Sequence, residues 1–364
     1  MRNTIGELGM DQTTFRILDI LSREIGHPIS INELTNKIGR SYGTAHYSNI
    51  YEKIRSLTKE EITILETAGK SSNTTLNLEN PFTNDLLTEI DLRKKQELLR
   101  KKPQLQMLLT SIYASLSNYN SIRSMSLINP ERNIKLNKAE FLIQLHFTKG
   151  EINHTLEEIL SIHLIIHTLQ RRYNIRIDPL ILPSDEFLIL LKSKEANPLK
   201  EMLSDRISFF SPQSFWMEIM IAAEEGLRIR YERKETEPSE VSEDDLIYNL
   251  GRFGYREIGP QIIKGRDICL EYIITSILMK GDARRIEAIP ILLAKNQPNY
   301  NILTYLSQRY GTSGKLLGLL RTLSSILPSD QIQNAIKIFE TLEIDMIEID
   351  QQSIQEKLRL YLPA

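Results

Sequence analysis

Between Arg40 and Asn49 the chain carries Arg40, Ser41, Tyr42, Thr44, Ala45, Ser48 and Asn49, mostly small polar side chains with one guanidinium and one carboxamide. Side chains this short let a helix backbone sink into a major groove, and the carboxamide of Asn49 suits the donor and acceptor of adenine. Ala-Gly-Lys-Ser-Ser-Asn at 68 to 73 adds turn chemistry. There Lys70, Ser71 and Ser72 would lie along phosphates, with Arg40, Lys53 and Arg55 as further cationic contacts. The chemistry available to this set is recognition rather than bond making.

Residue patterns for catalysis or metal binding are weaker. His163 and His167 lie one helical turn apart with His154 nearby, but apolar residues surround them and no H-E-x-x-H or cysteine partner accompanies them. Gly311-Thr312-Ser313-Gly314-Lys315 ends like a phosphate loop, yet Leu316 stands where Ser or Thr should bind magnesium, and the stretch follows a helix. It reads as a helix-helix turn. Cys269, the single cysteine, lies in an apolar pattern without a reason to be reactive. Trp216 has apolar neighbours at helical spacing and reads as core. No nucleophile elbow or glycine-rich oxyanion loop is present. The expectation is no catalytic residue, no metal and no cofactor.

The elements that must position the 40–49 set follow from periodicity. Phe15, Ile17, Leu18, Ile20, Leu21 and Ile25 predict a first helix over 11–25. Ile31, Leu34 and Ile38 predict a short second helix that Gly39 stops, with Ser41 as the N-cap of the next. Tyr47, Ile50, Ile54 and Leu57 then form one buried stripe, opposite Ser41, Thr44, Ala45, Ser48, Asn49, Glu52 and Arg55. Ile62 to Glu66 and Thr74 to Leu78 read as the strands of a hairpin. Residues 11 to 81 thereby resemble the winged helix-turn-helix of archaeal and bacterial transcriptional regulators, including the Arg-Ser-Tyr entry and the closing Leu-Asn-Leu-Glu-Asn-Pro. Nine Lys and Arg against ten Asp and Glu in residues 1 to 80 make this module near neutral, so its few cations must be well placed.

Thr83 is expected to cap a helix through Leu86, Leu87, Ile90 and Leu92, which runs into the most basic stretch, Arg93 to Lys102. Pro103 opens another helix to Leu116. From Ser121 the pattern is mixed: strands at 122–128, 141–147 and 175–182, a helix at 156–169, a Ser184-capped helix, a short helix after Pro198, a strand at 207–210 and a helix after Pro212. This succession resembles the later part of minimal nucleotidyltransferase domains. The resemblance implies a Gly-Ser loop and an Asp-x-Asp metal pair, and neither is present. Asn129-Pro130-Glu131-Arg132-Asn133 and Lys138-Ala139-Glu140-Phe141-Leu142 stand in their places, and Glu140 alone cannot clamp two metals. The domain is expected to be catalytically inactive.

Arg233 to Asp245 is too charged to pack and marks a boundary or flexible loop. Helices follow at 266–279, 283–294, 302–310, 315–327, 330–342 and 352–360, with Pro290 kinking or restarting one. The composition, 41% hydrophobic and 25% charged with a net charge of -2, is that of an ordinary soluble protein. Without a signal-peptide core or a run of some twenty apolar residues, the chain is expected in the cytoplasm and away from membranes.

The fold class expected is α+β, predominantly helical and multidomain. A winged helix at 1–82 precedes a helical linker and dimerisation segment at 83–120. A degenerate nucleotidyltransferase-like domain at 121–232 and an acidic linker with an all-α region at 233–364 complete the chain. The function expected is a sequence-specific double-stranded DNA-binding transcriptional regulator acting as a homodimer, not an enzyme. Alternatives are a nucleotidyltransferase or a regulator in a toxin–antitoxin type system, and an interaction scaffold whose winged helix docks a protein partner.

Overall fold

The computed structural model describes residues 10–69, 71–130, 137–146, 152–228, 237–256 and 262–361. The fold is α+β and mostly helical. In chain order the elements are α1 (Gln12–Leu21), β1 (Ile29–Ser30), α2 (Ile31–Tyr42), α3 (Tyr47–Lys59), β2 (Thr63–Ala68), β3 (Ser71–Leu76), α4 (Pro81–Lys101) and α5 (Pro103–Leu116). Next come β4 (Ile122–Ile128), β5 (Lys138–Leu145), α6 (Ile152–Tyr173), β6 (Arg176–Pro183), α7 (Ser184–Lys192), α8 (Pro198–Ser204), β7 (Arg206–Phe210) and α9 (Pro212–Glu224). The remainder is helical: α10 (Glu243–Arg252), α11 (Leu270–Lys280), α12 (Ala283–Ile286), α13 (Ile289–Lys295), α14 (Tyr300–Arg309), α15 (Ser313–Ile326), α16 (Asp330–Thr341) and α17 (Gln351–Tyr361). Among the described residues no helix is long and apolar enough to cross a membrane.

The chain divides into two compact units. The first is drawn from Met1–Met107, Arg123–Pro130 and Lys200–Lys234, the second from Leu108–Ile122, Glu131–Leu199 and Glu235–Ala364. In the first, Ile17, Leu18 and Leu21 of α1, Leu34 and Ile38 of α2, and Ile50, Ile54 and Leu57 of α3 are all buried. β1 and β2 flank β3 in an antiparallel sheet, with Ile29 opposite Thr74 and Thr63 opposite Leu76. Since Ala68 pairs with Ser71, the hairpin turn is two residues long, and Gly69 takes the positive φ such a turn needs. Ser71, Ser72 and Asn73 belong to β3, so the expected six-residue turn is shorter. β4 and β7 pair antiparallel in the same unit, and α4 packs on β7 and α9.

Within the second unit β5 and β6 run parallel, from Lys138 opposite Arg176 to Leu145 opposite Pro183, with α6 between them in the chain. Their continuous apolar runs, Phe141 to Ile143 and Leu180 to Leu182, are buried, as strands covered on both faces require. α14 packs on β6 and α16 on α6.

Several local expectations are corrected. α4 is capped by Asn80, whose Oδ1 accepts from the Phe82 amide at 3.0 Å; Pro81 fills the first turn, where no N–H is needed, and Thr83 is buried inside the helix. Ser184 opens α7 rather than preceding it. The expected strand at 141–147 begins earlier, at Lys138, while Phe147 lies outside the described residues. Glu243, Asp244 and Asp245 are no flexible loop: they form the first turn of α10, where the positive helix end favours acidic side chains and Ser242 caps the Asp245 amide at 3.1 Å. Residues 233–236 lie outside the described residues. Cys269 precedes α11 instead of lying within it. The helix expected at 283–294, with Pro290 kinking or restarting it, is restarted: Ala283–Ile286 and Ile289–Lys295 are separate, and Pro290 sits in the first turn of the second.

Candidate nucleic-acid interface

α2 begins where Ser30 stops being a strand residue, its Oγ accepting from the Glu33 amide at 3.1 Å. The helix runs through Gly39 to Tyr42, so Gly39 does not stop it and Ser41 does not cap α3. The stop is Gly43, at φ 91° and ψ -143°, a conformation that costs almost any other residue dearly. Arg40 and Ser41 are thereby exposed on the last turn of α2, Thr44 is exposed in the connection and Ala45 half-buried beside it.

Tyr42 is held from below. Its hydroxyl donates to Asp19 Oδ2 at 2.5 Å, and its ring meets Phe15 edge-on. Asp19 also takes Arg23 at 2.7 Å and Lys94 at 3.0 Å. Burial alone raises the Asp19 carboxyl, but Lys94, Arg23 and Tyr42 overcome it and hold the group down to about 2. The same burial and the Asp19 charge push the Tyr42 phenol upward, so it stays a donor. Tyr42 therefore anchors the end of α2 on α1 instead of offering its hydroxyl outward. Sequence reasoning missed this hub, although a carboxylate amid Ile17, Leu18, Ile20 and Leu21 was the available signal.

α3 presents Ser48, Asn49, Glu52 and Arg55 to solvent, as expected, and buries Ile50, Ile54 and Leu57. Tyr47 departs from the expected stripe: as the first residue of the helix it projects beyond the core and is 45% exposed. Its ring stacks on Tyr51, with centroids 5.9 Å apart and planes 10° from parallel. Lys53 is engaged by Asp11 Oδ2 at 2.5 Å and only partly exposed. Ser71 is exposed and Ser72 half-buried on β3; Lys70 lies outside the described residues. The basic stretch of α4 is partly consumed internally, with Arg93 bound to Glu89, Lys101 to Glu97 and Lys94 to Asp19.

No family model, curated protein or solved structure matches this chain.

Glu140 and Asp178 stand side by side on β5 and β6. Sequence reading missed this pairing because it depends on strand register. Both carboxylates are buried and occupied: Lys138 Nζ lies 2.6 Å from Glu140 Oε1 and 2.9 Å from Asp178 Oδ2, Arg309 Nε 3.4 Å from Glu140, and Arg176 Nε 3.1 Å from Asp178. A cavity of about 370 Å³ beside them is lined by Gln170, Arg176, Asp178, Gln308 and Gly314, among others.

Gly311 and Thr312 lie between α14 and α15, and Ser313, Gly314 and Lys315 open α15. A Cβ on Gly314 would fall 2.5 Å from the Asp345 carbonyl oxygen, so that glycine admits a crossing chain. His163 is buried and burial lowers its imidazole to about 4, whereas His167 is half-buried on the cavity wall. The side chain of His154 and residues 131–133 lie outside the described residues. Burial pushes the Cys269 thiol up. Among the described residues no three His, Cys, Asp or Glu side chains could hold a metal ion.

Proposed function

We propose that the chain is a sequence-specific double-stranded DNA-binding transcriptional regulator of the cytoplasm, acting as a homodimer, with a winged helix at 11–81 and a catalytically inactive nucleotidyltransferase-like middle region. The observation that carries the reading is the order α1-β1-α2-α3-β2-β3, with α3 buried along Ile50, Ile54 and Leu57 while short polar Ser48 and Asn49 face outward. Ser48 and Asn49 keep the first turn of α3 slim enough to enter a major groove, and the exposed Glu52 and Arg55 continue that face. Arg40, Ser41 and Thr44 supply exposed polar groups at its entry, and Ser71 and Ser72 add them on the neighbouring strand. A lone helix reads few base pairs, so two copies on a palindrome are expected, joined through α4 and α5 or the C-terminal helices.

The inactive middle region is supported by Lys138, whose ammonium lies between the two carboxylates a metal would need. A second reading, a magnesium-dependent nucleotidyltransferase, draws on Asp178 standing beside Glu140. Transfer of labelled nucleotide that disappears in Glu140→Gln would establish it.

Selection from a random duplex library by the purified protein at two salt concentrations tests the main reading. The expected result is an enriched motif with two half-sites. Asn49→Ala then loses discrimination at one position, by about 1–3 kcal/mol if the contact is bidentate to adenine. Equal binding of every sequence would refute the proposal.

A further inference from the structure

We infer that Tyr47, braced by Tyr51, is a specificity residue that recognises the C5-methyl group of a thymine. The inference rests on the DNA-binding reading and adds a contact to it. Taking about 100° per residue from Tyr47, the buried Ile50, Ile54 and Leu57 occupy roughly 280–340°, and the outward Ser48, Glu52 and Arg55 roughly 80–140°. Tyr47 and Tyr51, at about 0° and 40°, form the shoulder between those arcs. Asn49, at about 200°, forms the other shoulder. A helix entering a groove outward face first would bring both shoulders to the margins of the groove floor, where base edges are within reach.

The chemistry of the shoulder is apolar. Tyr47 is 45% exposed, and its ring lies parallel to and offset from that of the half-buried Tyr51, with centroids 5.9 Å apart. The offset stack restrains the ring before any partner arrives, so less side-chain freedom remains to be lost on binding. In a major groove the base edges offer one apolar group, the thymine methyl. An exposed, braced ring at the first turn of the inserted helix matches it, and the phenol hydroxyl keeps its polar tip for water or phosphate.

The test uses the full-length protein and the motif it selects. Each thymine is replaced in turn by deoxyuridine, which removes the methyl and leaves base pairing intact. One replacement should weaken wild-type binding about fourfold, the worth of one buried methyl-sized group. Tyr47→Phe should keep that ratio, and Tyr47→Ala should bind thymine and uracil alike at that position. Equal melting temperatures and circular dichroism of the variants would show that folding is unchanged. A Tyr47→Ala protein that still discriminates thymine from uracil, or a motif whose thymines all tolerate uracil, overturns this inference while leaving DNA binding intact. Absence of any motif overturns the DNA-binding reading and this inference with it.

Discussion

His163 and Asp19 show how burial acts on a titratable group with and without partners. Asp19 is surrounded by Lys94, Arg23 and Tyr42 and stays ionised. His163 is buried on α6, and its Nδ1 has no hydrogen-bond partner among the described residues. Burial lowers its imidazole from 6.5 to about 4, which favours the neutral ring. The unfolded chain therefore binds this proton first. The neutral histidine contributes its full stability above pH 6.5 and loses it as the pH falls from 6.5 through about 4, some 3 kcal/mol in all. Urea unfolding should show wild type losing stability relative to His163→Leu as the pH drops from 7 to 4.5. A difference independent of pH would mean that the ring is hydrated in the native state. Asp19 titrates in a separate window, between about 4 and 2, and does not confuse the result.

Two glycines of α15 illustrate a constraint between elements. Gly314 and Gly318 lie one turn apart, and the extended segment around Asp345 to Ile347 crosses them, with the Ile347 amide donating to the Gly314 carbonyl at 3.0 Å. A Cβ on Gly318 would come 2.1 Å from the Ile347 carbonyl oxygen, a backbone atom that cannot swing aside. Although alanine is the better helix former, Gly318→Ala should cost about 1–3 kcal/mol by displacing the crossing segment. Thermal unfolding checks this, with Gly39→Ala as the control: Gly39 lies in α2 with open space where a Cβ would stand and should gain rather than lose stability. Gly314 thus answers to chain packing. The resemblance of its surroundings to a phosphate loop is one of letters.

At the scale of the molecule, the first unit is assembled from three separated stretches of chain. Its seam is a buried polar cluster: Asp91 of α4 accepts from Arg206 at 2.8 Å and from Trp216 Nε1 at 3.0 Å, while the Arg206 guanidinium covers the Phe215 ring at 3.8 Å. Burial pulls the Arg206 guanidinium down and Asp91 opposes it. Asp91→Ala would strand a buried cation and should destabilise this unit by about 3–5 kcal/mol. Trp216 is the one tryptophan of the chain, so its fluorescence follows this unit, and its unfolding midpoint in urea should fall sharply. An unchanged midpoint would mean that water reaches Arg206.

Most helices and strands could be read from the order of residues alone, because helix and strand periods act over a few neighbours. Strand β4 falls at 122–128 as expected, and α14, α15 and α16 lie within two residues of expectation. The buried stripe of Ile50, Ile54 and Leu57 and the outward Ser48 and Asn49 were legible for the same reason. Helix ends were less so: α2 passes Gly39 because a glycine with open space around it only weakens a helix, whereas Gly43 adopts a conformation that ends it. Tertiary structure decided which chemistry was free. Glu140 meets Asp178 through parallel register, Tyr42 turns inward because Asp19 lies beneath it, and Asp91 finds Arg206 across more than a hundred residues. Such long-range pairings leave no local periodicity, since they are set by packing and desolvation once the chain has closed on itself.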